Sequence, residues 1–215
     1  DVYFYPEMLR RLYIPFLMFT IALSVNSFAQ SPRYRLETFG TRDGMLSSKL
    51  YALAQTCDRK LWIGTELGVS VYDGYSFINY QYTSSNETIG RVLCITQDSL
   101  KGIWIGGDKG LFYLHGNSIK KMELQSKTQL AVEALLTDAG GNVWAGDLNA
   151  LFKITPQQIQ QVHKVHPAIV DITPFASFTK RVYCIAEDSK QNIYVGSYDG
   201  VFKIMANANN YEIFW

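Results

Sequence analysis

Apolar and polar positions alternate in short runs along most of this chain, and four segments repeat the same order of runs. Each has an apolar run, a polar turn, a second run around an aromatic residue, and a third run opening on a small residue. Aligned on the aromatic residue they read LYALAQTCDRKLWIGTELGVSVYD, VLCITQDSLKGIWIGGDKGLFYLH, VEALLTDAGGNVWAGDLNALFKIT and VYCIAEDSKQNIYVGSYDGVFKIM. The anchors are Trp62, Trp104, Trp144 and Tyr194, spaced 42, 40 and 50 residues apart. Gly64, Gly106, Gly146 and Gly196 follow two residues later, and Gly68, Gly110, Ala150 and Gly200 four further on. Six residues before the anchor stand Asp98, Asp138 and Asp188, with Thr56 in the first copy.

Periods of this length belong to helical solenoids or to propeller blades. The short runs rich in Val, Ile, Leu and aromatics, separated by polar turns, follow strand and hairpin grammar. No window of ten or more residues carries the apolar stripe of a helix. Each copy divides into four strands, in the first Leu50–Gln55, Leu61–Gly64, Val69–Tyr72 and Ser76–Tyr80. The Asp or Thr of each polar turn is placed to hydrogen-bond the backbone inside it. The glycine after the anchor sits where a side chain would crowd a neighbour, and the second glycine suits a positive φ. The anchor aromatic is the residue to fill the space between sheets. Four-stranded sheets arranged radially make a β-propeller. The fold expected is therefore all-β: about four four-stranded blades of a larger β-propeller ring.

The first residues differ. From Met8, Arg10 and Arg11 precede an apolar run from Leu12 to Val25, and Ser27-Phe28-Ala29 is a small-x-small site. This is the layout of a secretory signal peptide, starting at Met8 and cleaved after Ala29, with residues 1–7 upstream of it. The run is short for a membrane anchor and contains Pro15. The organisation expected is a leader over 1–29 and a partial propeller over 30–215. Export would place Cys57, Cys94 and Cys184 in an oxidising compartment, but an odd number at wide spacing supports neither a disulfide framework nor a zinc site. Cys94 and Cys184, inside apolar runs, read as small buried hydrophobes.

Of the 215 residues 47% are hydrophobic and 18% charged, which suits a folded core. A formal net charge of +1 with scattered basic residues gives no reason to expect a nucleic-acid partner.

The repeats resemble the two-component regulator propeller family, whose pattern of apolar strand, Asp, turn, LWIGT, GL and YD is carried closely by ITQDSLKGIWIGGDKGLFYL and LAQTCDRKLWIGTELGVSVYDGYSFINY. The segment Tyr34–Gln55, with Asp43-Gly44-Met45-Leu46-Ser47, resembles the opening of such sensors. The third copy departs with Ala150 and the fourth with Tyr194. The resemblance implies a seven-bladed ring and the N-terminal periplasmic sensor region of a Bacteroidetes-type hybrid histidine kinase anchored in the inner membrane. It further implies an oligosaccharide ligand, no cofactor, contact with the membrane only through a downstream part, and a possible homodimer of the full-length protein. This stretch would then not itself be an enzyme, although the whole protein would be a kinase. Tyr34–Phe39 reads as the outer strand of a blade completed from later in the chain, and the sequence as the N-terminal piece of something longer.

Other chemistry finds less support. Gly106-Gly107-x-x-Gly110 joins two strands rather than opening a helix, so it is a poor phosphate loop. His163 and His166 lack a nearby third ligand, and no metal site is expected. The repeat acids are accounted for by their turns, and no catalytic residue is assigned. Binding is expected in the loops between the second and third strands, which lie beside the crossings from blade to blade and vary while the scaffold repeats. These supply Glu66, Asp108, Lys109, Asp147, Asn149, Tyr198 and Asp199 as candidate ligand contacts, with Tyr198 suited to stack on a sugar face. Two other readings stay open: an exported propeller enzyme of lyase or lactonase type, and a non-catalytic interaction scaffold.

Overall fold

The computed structural model describes residues 35–125, 131–164, 172–177, 181–206 and 211–214. The leader with its Met8 start and Ala29 cleavage site, and His166, lie outside the described residues. Among the described residues, sixteen strands form four separate antiparallel sheets of four. The first blade comprises β1 (Leu50–Gln55), β2 (Leu61–Thr65), β3 (Gly68–Tyr72) and β4 (Phe77–Tyr80). The second holds β5 (Val92–Gln97), β6 (Ile103–Gly107), β7 (Gly110–His115) and β8 (Ser118–Met122). The third holds β9 (Ala134–Thr137), β10 (Val143–Gly146), β11 (Ala150–Ile154) and, after helix α1 (Pro156–Lys164), β12 (Pro174–Ser177). The fourth holds β13 (Val182–Glu187), β14 (Ile193–Ser197), β15 (Gly200–Ile204) and β16 (Tyr211–Phe214). The architecture is that of a β-propeller.

The anchors occupy equivalent positions. Trp62 lies opposite Ala54 and Val71, Trp104 opposite Thr96 and Tyr113, Trp144 opposite Leu136 and Lys153, and Tyr194 opposite Ala186 and Lys203. All three anchor tryptophans are buried. Each joins a core built between two blades rather than within one. Trp62, Val69 and Val71 of the first blade pack with Val92, Ile103, Ile105 and Phe112 of the second. Trp104, Leu111 and Tyr113 of the second pack with Val143, Ala145 and Phe152 of the third, and Ala134, Trp144 and Leu151 of the third with Val195, Phe202 and Ile204 of the fourth. Alternation along each strand sends one set of side chains to the preceding blade and the other to the next. The glycine after the anchor makes room for this. A Cβ on Gly64 would stand 2.8 Å from Val92 of the next blade, and one on Gly146 would overlap the Val182 side chain.

On the face of the fourth blade that no described residue covers, the same positions are open. Leu111 is fully buried in the second blade, whereas its equivalent Val201 in the fourth is 44% exposed. Cys184, expected as a buried hydrophobe, is exposed for the same reason, while its equivalent Cys94 is half-buried against Val132.

Two local departures are informative. Residues 35–39 form no strand. Phe39 instead packs its ring on Tyr72 and Phe77 of the first blade, 5.0 and 5.9 Å between centroids. The second departure is α1, a nine-residue helix inserted between β11 and β12. Thr155 starts it, its Oγ1 accepting from Gln158 N while Gln158 Oε1 accepts from Thr155 N. Ile159 and Val162 bury its inner face, and the insertion explains the longest anchor spacing.

Candidate functional site

The loops between second and third strands are short turns fixed at the same height in every blade. Each is tied to the chain that precedes the innermost strand. Glu66 N donates to Lys49 O, Asp108 N to Arg91 O and Tyr198 N to Arg181 O, at 3.2, 3.1 and 3.2 Å. In the third blade the tie runs the other way, Glu133 N donating to Gly146 O, and two loops are tied forward as well: Val132 N donates to Gly107 O and Val182 N to Asp147 O. The candidate residues therefore stand beside the blade-to-blade crossings on one face of the arc.

Their side chains fare differently. Glu66 pairs with Lys49 at 3.1 Å. Asp108 Oδ1 accepts from Arg91 N at 2.9 Å, and Lys109 is exposed beside it. Asp147 is fully buried, its Oδ1 accepting from Asn149 N and Ala150 N. It therefore shapes the loop that presents Asn149 rather than offering an oxygen to solvent. The first and fourth loops carry the same brace, Thr65 Oγ1 accepting from Leu67 N and Ser197 Oγ from Asp199 N, while the second closes on Gly110 at a φ of +115°. Tyr198 is 67% exposed, and Asp199 N donates to Ser197 Oγ at 3.3 Å.

Further groups around these loops carry no signal in the repeat motif itself. The residue before each innermost strand is Lys49, Arg91, Glu133 or Arg181. Glu133 pairs with Arg181 at 3.3 Å, and burial raises its carboxyl against the pull of that guanidinium. Arg91 lies over the Tyr51 ring at 5.5 Å. Tyr51 and Tyr183 both fall where the innermost strand slips register against its neighbour, and both are about half exposed. A bulge re-aims a side chain out of the sheet's alternation.

The opposite face carries the Asp-led turns. Asp98 Oδ1 accepts from Leu100 N and Gly102 N, and Asp188 Oδ1 from Lys190 N and Asn192 N, as the turn chemistry required. The second oxygen accepts from the anchor itself: Trp104 Nε1 donates to Asp98 at 2.9 Å, Trp144 Nε1 to Asp138 at 2.7 Å and Tyr194 Oη to Asp188 at 3.2 Å. In the first blade Trp62 Nε1 donates to Thr56 Oγ1 at 3.2 Å.

On this face a cleft of about 140 Å³ opens between the third and fourth blades, with Trp144, Phe175, Asp138, Glu187 and Lys153 among its walls. Its origin is legible by comparing blades. At the joint between second and third blades, Leu100 and the buried Tyr113 pack into the core, while the third blade has Gly140 and Lys153 at those positions. Lys153 Nζ lies 5.0 Å from the Trp144 ring, a cation–π contact in place of an aromatic pair.

Residues 177–199 match the family model described as two component regulator propeller. The matched segment lies in the fourth copy, not in the first two, where the motif is fullest. No curated protein matches the chain. Among solved structures, an extracellular domain described as that of a hybrid two component system from B. thetaiotaomicron is similar with a TM-score of 0.65 and 16% identity, covering 86% of this chain and 23% of that one. A second such domain from the same organism gives 0.63 and 21%, covering 84% and 24%. Virginiamycin B lyase from Staphylococcus aureus gives 0.59 and 14%, covering 77% and 55%. At these identities the likenesses establish the propeller fold. This chain spans about a quarter of the length of the two extracellular domains.

Proposed function

We propose that this propeller, which carries a two-component regulator repeat, belongs to the exported ligand-binding region of a membrane-bound hybrid histidine kinase. Its ligand in this reading is an oligosaccharide, held without turnover at the face built by the loops between second and third strands, with the rest of a larger ring supplied by other parts of the full-length protein. The observation that carries the reading is the pinning of those loops. Backbone bonds fix their height in each blade, while their side chains change from Glu66 to Asp108 and Lys109, to Asn149, and to Tyr198 and Asp199. Varied polar groups on a rigid frame suit a ligand with many hydroxyls, and exposed tyrosines suit its apolar ring faces.

The test is calorimetry of a soluble protein extended to a closed ring, titrated with a panel of plant and host glycans. Saturable binding of one glycan with no product formed is expected. Product accumulating during the titration would replace this reading with an exported lyase-like enzyme, for which the likeness to virginiamycin B lyase is the favouring observation. Binding that survives loss of the loop side chains but fails when the cleft between third and fourth blades is filled would move the site to the other face.

A further inference from the structure

The charged residue before each innermost strand stands at the loop face, and the blades treat its charge differently. Lys49 pairs with Glu66, and Glu133 with Arg181, so three of the four are neutralised in place. Arg91 is the exception. Among the described residues its guanidinium makes no ion pair, and it lies over the Tyr51 ring, 5.5 Å from the centroid. Arg91 is exposed and Tyr51 is 44% exposed, so both are open to solvent.

The backbone beneath is closed on itself. Arg91 N donates to Asp108 Oδ1 at 2.9 Å, and Asp108 N donates back to Arg91 O at 3.1 Å. Gly90, at a φ of +75°, lets the loop come close, since a Cβ there would stand 2.7 Å from Lys109 Cγ. The exposed Lys109 therefore runs beside Arg91 and, among the described residues, it too makes no ion pair. Residues 126–130, which lead to the crossing where Val132 meets this loop, contain no acid. Two cations thus stand with one carboxylate, Asp108, whose Oδ1 is already engaged. A guanidinium over an aromatic ring is held in place yet keeps its fork of N–H donors at the edge.

We propose that Arg91, held on Tyr51, is the specificity-determining contact of the loop face and selects an acidic sugar, carrying a carboxylate or a sulfate ester, over a neutral one. The inference rests on the oligosaccharide reading and names the class of glycan. Arg91 donates two parallel N–H groups to the oxyanion, and Lys109 adds a second positive charge. Asp108 Oδ2 accepts from a neighbouring hydroxyl of the same sugar. The pairs Lys49–Glu66 and Glu133–Arg181 cancel their own charge on either side, so the acid is read at one subsite and hydroxyls at the others.

The test is calorimetry of the closed-ring protein with a glycan panel divided into acidic and neutral members. It includes trigalacturonic acid with its full methyl ester, and glucose 6-sulfate with glucose, pairs that differ in the acid alone. Saturable binding confined to acidic members is expected, a uronate assigning the carboxylate and a sulfated sugar the ester. For the glycan bound, Arg91→Gln should weaken affinity about tenfold, the size of one charge-assisted hydrogen bond, and reduce its dependence on salt. Arg91→Lys should recover part of that loss, since the charge returns without the fork. Lys121→Gln, on the outer strand β8, should change nothing. Tightest binding by a neutral glycan, or an acidic one whose affinity Arg91→Gln leaves unmoved, would overturn this proposal while leaving the oligosaccharide reading standing. Absence of binding by every glycan would overturn both.

Discussion

Trp104 donates its indole N–H to the second oxygen of Asp98, 2.9 Å away, while the first oxygen of the same carboxylate closes the turn on Leu100 and Gly102. One side chain therefore fixes both the turn that leads into β6 and the ring that leaves it toward the next blade. Both residues are buried, the tryptophan completely. A turn and an interblade contact that are separate in the sequence pattern are a single unit in the fold.

Trp104→Ala should cost about 3–5 kcal/mol, the range for deleting a large aromatic from a core. Trp104→Phe keeps most of the apolar contact but leaves an Asp98 oxygen without its donor, so about 1–3 kcal/mol is expected. Asp98→Asn should cost a similar amount, because an amide cannot accept from the indole and from both backbone N–H groups. Urea melts of the single variants and of Asp98→Asn with Trp104→Phe measure the coupling. Strictly additive losses would mean that the bond carries no energy of its own.

Gly102→Ala should destabilise by about 1–3 kcal/mol, the usual cost of overpacking. A Cβ there would fall on the Tyr113 ring, which Trp104 and His163 hold in place. The same change at Gly140, where the nearest atoms are Asn142 Nδ2 at 3.2 Å and Asp138 Oδ1 at 3.3 Å, should cost clearly less. Thermal melts of the two variants rank them, and a larger loss at Gly140 would contradict the filled-versus-open account of the two joints.

Acid should test the fourth blade. The Asn192 side chain, then the Asn192 and Lys190 backbone and Tyr194 Oη, hold the Asp188 carboxyl down at about 2 against an ordinary 3.8. A depressed value means that the folded form gains from this group above about 3.8 and loses that gain as pH falls toward about 2. A carbon-detected titration of the Asp188 carboxyl should find its midpoint near the lower value. A midpoint at 3.8 would show that these bonds do not form in solution.

At the loop face, Asp108→Ala and Tyr198→Ala should weaken glycan binding, whose expected affinity lies in the micromolar-to-millimolar range, about 4–8 kcal/mol. Asp147→Ala should act through the shape of its loop and lower the melting temperature as well. Asp98→Asn should change stability while sparing binding. Calorimetry beside thermal melts separates the two effects, and loss of binding in Asp98→Asn alone would place the site on the opposite face.

The blades could be read from sequence because every strand faces two ways, so that residues at fixed offsets meet the same environment each time. The strands expected at Leu50–Gln55 and Leu61–Gly64 differ from those observed by at most one residue. Helix α1 escaped because nine residues are too few to show a stripe and its apolar positions, Ile159 and Val162, form a single pair. The indole bond to Asp98 escaped for another reason. The turn already explained the aspartate, and only coordinates show where its second oxygen points. The cleft between third and fourth blades is not legible either, since it arises from what the third blade lacks relative to the second: Gly140 and Lys153 stand where Leu100 and Tyr113 fill the joint.

The alternation of faces has a mechanical consequence. Since Trp62 is buried by the second blade and Trp144 by the fourth, no sheet owns a core, and the cohesive unit of this chain is the seam between sheets. Opening one seam therefore uncovers apolar side chains on two sheets at once, and stability sums over neighbouring seams rather than over separate blades. The seam between second and third blades carries in addition the apolar contacts of Ile159 and Val162 from α1.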